Sequence, residues 1–252
     1  MGLVASGKSH PGSVRAENQD RILLDLPLGL FVVCDGMGGH QHGEIAAELA
    51  ISAVRFYIEA SQDRDVSWPY GYKFELSDDA NRLGTAVRVA NRQVWHEAEK
   101  GLDRAGMGTT VAAVLLRGTD AVIGNLGDSR IYLCRELELR QLSIDDTLVA
   151  SMLSKGLLEP SDAPGHPLRN VLTQAAGSQE TVDVHIVEET LQPNDLLLLC
   201  SDGLYGCVSE PAIRSILAGE ESVEVMVDRL VSAALNARAP DNVSAIVLHF
   251  HA

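Results

Sequence analysis

Cysteine is scarce in this chain: four among 252 residues, at positions 34, 134, 200 and 207. They form no CxxC pair and no Cys/His spacing suited to zinc, so neither a disulfide framework nor a thiolate metal site is expected. A chain of this length buries roughly 70–75% of its unfolded surface and needs no such staples. Long apolar runs are also missing. No window approaches the ~20 apolar residues of a membrane span. The stretch from Met1 to Asp20 lacks the apolar core of a secretory signal. Positive charge is in deficit, with 20 Lys and Arg against 35 Asp and Glu and a net charge of -15. Such a chain repels nucleic-acid phosphates, which argues against DNA or RNA as a partner. Together these absences predict a cytoplasmic protein with reduced cysteines and no membrane span.

The pattern that remains is one of short strands and paired helices. Strands are expected at 21–25 and 30–35, then helices over 44–60 and 78–100, with Ser77 as N-cap of the second. Strands follow at 109–117, 120–126, 129–134 and 138–142, then at 181–188 and 195–200. Helices at 210–218 and 221–237, the latter capped by Ser222, precede a last strand at 242–250. Residues 145–168, rich in proline toward their end, read as a surface insertion. Helices come in pairs between groups of strands, which favours an α+β fold of antiparallel sheets with helices outside, in one domain spanning 1–252. Gly2 to Ser9 fits the P-loop pattern in letters. The pattern needs a preceding strand and a following helix, and His10-Pro11-Gly12 follows instead.

Carboxylates at the ends of apolar runs stand out. Leu30-Phe31-Val32-Val33-Cys34 ends in Asp35-Gly36, and Leu196 to Ser201 ends in Asp202-Gly203. Ala121 to Leu126 ends in Gly127-Asp128, while Asp20 and Asp241 each sit just before a strand. A lone Asp-Gly is most often a turn. Strands of one core gather their ends at one edge, so the set can converge. Two bare carboxylates ~4 Å apart repel by roughly 4 kcal/mol at an effective dielectric near 20. Several together call for cations, and oxygen-only ligation suits Mg²⁺ or Mn²⁺.

The chain resembles the metal-dependent serine/threonine protein phosphatases of type 2C, in their compact bacterial form. The similar segments are Arg15-Ala16-Glu17-Asn18-Gln19-Asp20, Asp35-Gly36-Met37-Gly38-Gly39-His40, Gly106-Met107-Gly108-Thr109-Thr110 and Gly124 to Arg130. Asn170-Val171-Leu172-Thr173, Ser201-Asp202-Gly203-Leu204 and Asp241-Asn242-Val243-Ser244 complete the series in the family's order.

The resemblance implies a four-layer α-β-β-α sandwich of two antiparallel sheets. It implies Asp35 bridging two Mn²⁺ or Mg²⁺ ions, the Gly36 carbonyl on one and Asp202 and Asp241 on the other. Asp20 would act through metal-bound water, and Asp128 with Asp202 would hold the third ion seen in bacterial members. Arg15 would grip the phosphate, and His40 is the candidate leaving-group acid, because Met37 stands where some members carry histidine. Residues 145–168 match the family's flap. The implied reaction is hydrolysis of phosphoserine and phosphothreonine in partner proteins, by in-line attack of a hydroxide bridging two ions, in a monomer opposing a cognate kinase. A phosphocysteine mechanism is not expected. The alternative is a catalytically inactive phosphoprotein-binding module of the same fold, for which Gln19, in place of the family's usual Glu, speaks weakly.

Overall fold

Two continuous apolar runs build the centre of the protein, described by a computed structural model that covers residues 2–38, 42–62, 67–101 and 104–251. They are β3 (Leu30–Cys34) and β11 (Leu196–Cys200), every residue of which is buried. Successive side chains of a strand point to opposite faces. In β3, Phe31 and Val33 face the opposing sheet while Leu30, Val32 and Cys34 face helices. In β11, Leu197 and Leu199 face inward and Leu196, Leu198 and Cys200 face helices. Both strands lie between two apolar layers, which explains runs rather than alternation.

One sheet has the order β1 (Gly2–His10), β12 (Val243–His251), β11, β8 (Arg130–Arg135) and β9 (Glu138–Gln141). The other has the order β10 (His185–Thr190), β7 (Asp120–Leu126), β6 (Val111–Arg117), β3 and β2 (Arg21–Asp25). All neighbours in both sheets are antiparallel. A small ladder of β4 (Gly36–Met37) and β5 (Gly108–Thr109) lies beside them. Helices α1 (His42–Ala60) and α2 (Asp78–Ala98) cover the second sheet through Ala47, Val54, Leu83 and Val87. Helices α5 (Glu210–Leu217) and α6 (Val223–Asn236) cover the first through Ile213, Val227 and Leu230. The architecture is the four-layer α-β-β-α sandwich expected. Each fully buried Leu, Val or Ile contributes about 1.5–3 kcal/mol, so the three apolar layers dominate stability.

The structure departs from the sequence expectations at particular places. Residues 2–10 form a strand, so Asp20 does not precede the first strand. Each residue of β1 pairs with one of β12, from Gly2 opposite His251 to His10 opposite Val243. The P-loop letters therefore lie along this strand. The strand expected at 181–188 begins only at His185, opposite Asn125, next to the end of β7 at Leu126. Ahead of it the Gln174 side chain clamps the backbone of Asp183, donating to its carbonyl at 2.9 Å and accepting from its N–H at 3.1 Å. A short helix, α4 (Asp202–Tyr205), was not anticipated. Ser77 caps α2 as expected, accepting from the Ala80 N–H at 3.1 Å. Ser222 occupies the N-cap of α6 without a side-chain bond to the helix backbone. Among the described residues, no helix is long and apolar enough to cross a membrane.

Candidate active site and metal centre

The topology brings the acidic residues together. Asp35 follows β3 in one sheet, and Asp202 follows β11 in the other. Because β12 runs antiparallel to β11, with Ala245 opposite Cys200, Asp241 arrives beside Asp202. Asp128 sits in the crossing from β7 to β8. Two glycines allow the close approaches. A Cβ on Gly203 would lie 1.9 Å from the Asn242 carbonyl oxygen, and one on Gly36 would lie 2.1 Å from that of Gly43. Any side chain at either position would force these segments apart.

The result is a cleft of about 930 Å³ lined by Arg15, Asp35, Gly36, Asp128, Asp202 and Asp241, among others. Asp20 lies behind it, 1% exposed. Its Oδ2 accepts from the hydroxyls of Ser201 at 2.8 Å and Ser244 at 2.6 Å. Its Oδ1 is buried without a hydrogen-bond partner, as is Oδ1 of Asp202. A buried carboxylate oxygen without a donor normally costs a few kcal/mol. Two of them on neighbouring acids are a signature of cation binding, since the donors of the fold have been placed elsewhere.

Electrostatics agree. Burial, reinforced by the charges of Asp20, Asp202, Asp128 and Asp241, pushes the Asp35 carboxyl well above the usual range. Asp202 is raised by burial and by Asp241. Asp20 is raised to about 6, mainly by burial, against the pull of its two serine donors. Asp128 is raised to about 7 by burial, then by Asp202 and Asp145. Among the described residues that line the cleft, Arg15 supplies the guanidinium. Its Nη2 donates to Oδ2 of Asp241 at 2.8 Å, and that contact raises its pKa. Arg15 thus rests on a carboxylate the sequence assigned to metal.

Among the described residues, no group of three or more His, Cys, Asp or Glu side chains is arranged to hold an ion unaided. The aspartates share a cleft without closing into a cage. That still fits a small hard cation, which keeps several waters and takes only one or two carboxylates. The two partnerless oxygens and the oxygen-only donor set supply the rest of the fit. His40 lies outside the described residues, and Met37 lines the cleft.

Several contributors were missed in the sequence. Thr109 and Thr110, read as plain strand residues, fix the backbone of Asp35. The Asp35 N–H donates to the Thr110 hydroxyl at 2.9 Å, and the Thr110 N–H and Thr109 hydroxyl both donate to the Asp35 carbonyl at 2.9 Å. Asn242 accepts from the Gln19 N–H at 2.8 Å and donates to the carbonyls of Pro11 and Glu17, tying the Arg15 loop to β12. Asp146 anchors the segment 145–168. Its carboxylate accepts from the Gly127 N–H at 2.9 Å and from Gln174 Nε2 at 3.0 Å, and its Oδ1 lies 2.8 Å from His185 Nε2. A threonine-threonine pair or a second aspartate carries no sequence signal that separates such roles from packing.

The chain does contain a Cys-x₅-Arg spacing, from Cys134 to Arg140. It spans the β8–β9 hairpin, with Cys134 buried and opposite Leu139. Burial raises the thiol pKa, and Arg140 pairs with Glu189 at 2.6 Å. No thiolate is presented to an anion there.

A four-layer sandwich with an oxygen-lined acidic cleft where its sheets end is the architecture of the PPM phosphatases. The chain belongs to the protein phosphatase 2C family, whose model matches residues 6–245. It is 36% identical over 242 residues to the serine/threonine protein phosphatase PstP of Mycobacterium tuberculosis, covering 96% of this chain and 44% of that protein. It is 34% identical over 220 residues to the serine/threonine phosphatase stp of Listeria welshimeri, covering 87% and 83%. The chain therefore spans less than half the length of the first relative and most of the second. Among solved structures, the catalytic domain of PstP in complex with two manganese ions matches at a TM-score of 0.83 and 31% identity, over 99% of both chains.

Proposed function

We propose that this chain is a metal-dependent protein phosphatase that hydrolyses phosphoserine and phosphothreonine. The observation that carries the reading is the pair of buried, partnerless oxygens on Asp20 and Asp202 beside the strongly raised Asp35. Asp35, the Gly36 carbonyl, Asp202 and Asp241 would hold two Mn²⁺ or Mg²⁺ ions, with Asp128 and Asp202 available to a third. When bound, such ions supply a nucleophilic hydroxide near neutral pH and neutralise charge on the phosphoryl group.

The chain's own residues do the rest. Thr109 and Thr110 hold the Asp35 backbone, so its carboxyl is aimed without reorganisation. Asp20, held through one oxygen by Ser201 and Ser244, keeps the other without a donor and would act through metal-bound water. Arg15 exchanges Asp241 for phosphate, to which its planar fork of donors is matched. All five aspartates are present, which speaks against the inactive alternative. A cytoplasmic setting accords with four free cysteines, and a monomer acting on phosphorylated proteins opposed by a kinase is the simplest assignment.

The test is Mn²⁺-dependent hydrolysis of p-nitrophenyl phosphate and of a phosphothreonine peptide. Asp35→Asn should lower turnover by about 10²–10³-fold or more, the scale of losing a key transition-state contact, with the melting curve retained. An inert wild-type protein in saturating Mn²⁺, or wild-type rates in Asp35→Asn, would overturn the assignment.

A further inference from the structure

Asp35 and Asp202 take their direction from the buried strands they follow. Asp128 has no such anchor, because it lies where the chain crosses from β7 in one sheet to β8 in the other. Clamps replace the strand there. Gly127 donates its N–H to Oδ2 of Asp146 at 2.9 Å, and its carbonyl accepts from the Asp146 N–H at 3.0 Å. The Asp128 carbonyl accepts from the Tyr205 hydroxyl at 3.0 Å. The Ser129 hydroxyl lies 2.7 Å from that of Thr110, the residue that holds the backbone of Asp35. Gly127 has a φ of +95°, and a Cβ there would lie 2.8 Å from the Thr110 methyl carbon, so the loop packs directly on Thr110.

Asp146 is itself held from outside the cleft, which neither it nor His185 lines. It is buried, and its Oδ1 meets Nε2 of His185 at 2.8 Å and Nε2 of Gln174 at 3.0 Å. With the carboxylate ionised, the histidine nitrogen donates, and this contact raises the His185 pKa against the effect of burial. His185 opens β10, the edge strand of its sheet, opposite Asn125. The Asn125 side chain fixes the approach to Asp146, donating to the Ile144 carbonyl at 2.6 Å and accepting from its N–H at 3.1 Å. Helix α3 (Leu148–Ser154) starts just beyond, capped by Thr147. Without a cation, Asp128 and Asp202 repel, as the raised Asp128 carboxyl records. A loop under that load holds its place only through such clamps. Groups that orient a metal-ligating side chain in this way typically change metal affinity by about 10–100-fold when removed.

We propose that Asp146 and His185 are positioning residues that hold Asp128 beside Asp202 and so set the affinity of the ion these two aspartates share. The proposal rests on the metal-dependent phosphatase reading and gives a role to two side chains outside the cleft. A disturbance at the sheet edge reaches the ion through a single carboxylate.

The experiment measures how many Mn²⁺ ions the whole chain binds, and how tightly, by calorimetric titration, with melting in EDTA alongside. Asp128→Asn identifies the ion that depends on Asp128. Asp146→Ala should weaken that same ion by about 10–100-fold and leave the others as in wild type. His185→Ala should weaken it by less. His185→Gln, which keeps a donor for Asp146, should restore the wild-type value. If Asp146→Ala disturbs folding, the two His185 variants decide alone. Wild-type affinity for that ion in Asp146→Ala and His185→Ala, no recovery in His185→Gln, or equal weakening of every ion in step with a lower melting temperature would overturn the positioning role while leaving the phosphatase intact. Unchanged binding in Asp128→Asn would overturn it too, since no ion would then depend on Asp128. Absence of both Mn²⁺ binding and Mn²⁺-dependent turnover of p-nitrophenyl phosphate in the wild type would overturn the phosphatase reading with it.

Discussion

The two ends of strand β11 carry aspartates with opposite fates. Asp195, just before the strand, is 2% exposed and fully partnered. Its carboxylate receives Arg135 through Nε at 2.9 Å and Nη2 at 2.6 Å, and the Gln192 N–H at 2.7 Å. Asp202, just after the strand, has one buried oxygen with no donor and a carboxyl raised by burial and by Asp241. Both residues are anchored by the same six buried residues, 196–201, that lie between them. A carboxylate whose bonds are all met serves the fold. One left in want beside like charges is held ready for a ligand, at some expense in stability.

Substituting the two ends tests that contrast most severely. Asp195→Ala should cost about 2–3 kcal/mol of unfolding free energy, because it leaves Arg135 without its main partner. Activity per folded molecule should stay near normal. Asp202→Asn should do the reverse, stopping Mn²⁺-dependent turnover while the metal-free protein melts at the same temperature or higher. Denaturation curves alongside kinetics decide, and a strongly destabilised Asp202→Asn would break the comparison.

A smaller effect is expected at Asp20. Asp20→Asn keeps the size of the side chain and removes its charge. Groups that support metal-bound water typically change affinity or activity by about 10–100-fold. Calorimetric titration with Mn²⁺ should show weakening in that range with the fold intact; unchanged affinity would return Asp20 to a purely structural role.

The smallest effect concerns pH in the absence of metal. Asp20 and Asp128 are raised to about 6 and about 7, while an unfolded aspartate titrates near ~4. Between these values the folded protein binds protons that the unfolded chain has released, so stability falls as pH rises. Their contribution is fully present below about pH 4 and gone above about pH 7. In EDTA, wild type should lose Tm relative to Asp128→Asn across that window, and Mn²⁺ should abolish the difference. A gap that stays constant with pH would show that Asp128 does not titrate there.

Much of the fold was legible because burial on both faces writes itself as unbroken runs such as Leu196–Cys200, and because α1, α2 and α6 keep helical spacing. The strand from Gly2 to His10 was not. Its side chains are mixed, with Leu3, Val4 and Ala5 followed by Ser6, Gly7, Lys8 and Ser9, so neither a run nor a clean alternation marks it, and its pairing depends on residues 243–251. The cleft aspartates were legible as a set, since each follows or precedes an apolar run. Their supports were not. Thr109, Thr110, Ser201, Ser244 and Asn242 lie in segments that carry the family resemblance, but they act through hydrogen bonds to residues far along the chain, and local pattern does not name those partners. The resting contact between Arg15 and Asp241 is of the same kind, joining positions 226 residues apart.

The pairing of β1 with β12 also sets an order of events during synthesis. Asp20 and Asp35 leave the ribosome early, but the sheet that carries Asp202 and Asp241 is completed only when residues 243–251 have emerged. Until then β11 has no neighbour on one side and β1 has none at all. A nascent chain can therefore expose all five of these aspartates before the cleft is closed, because the sheet that carries Asp202 and Asp241 is completed only by residues 243–251.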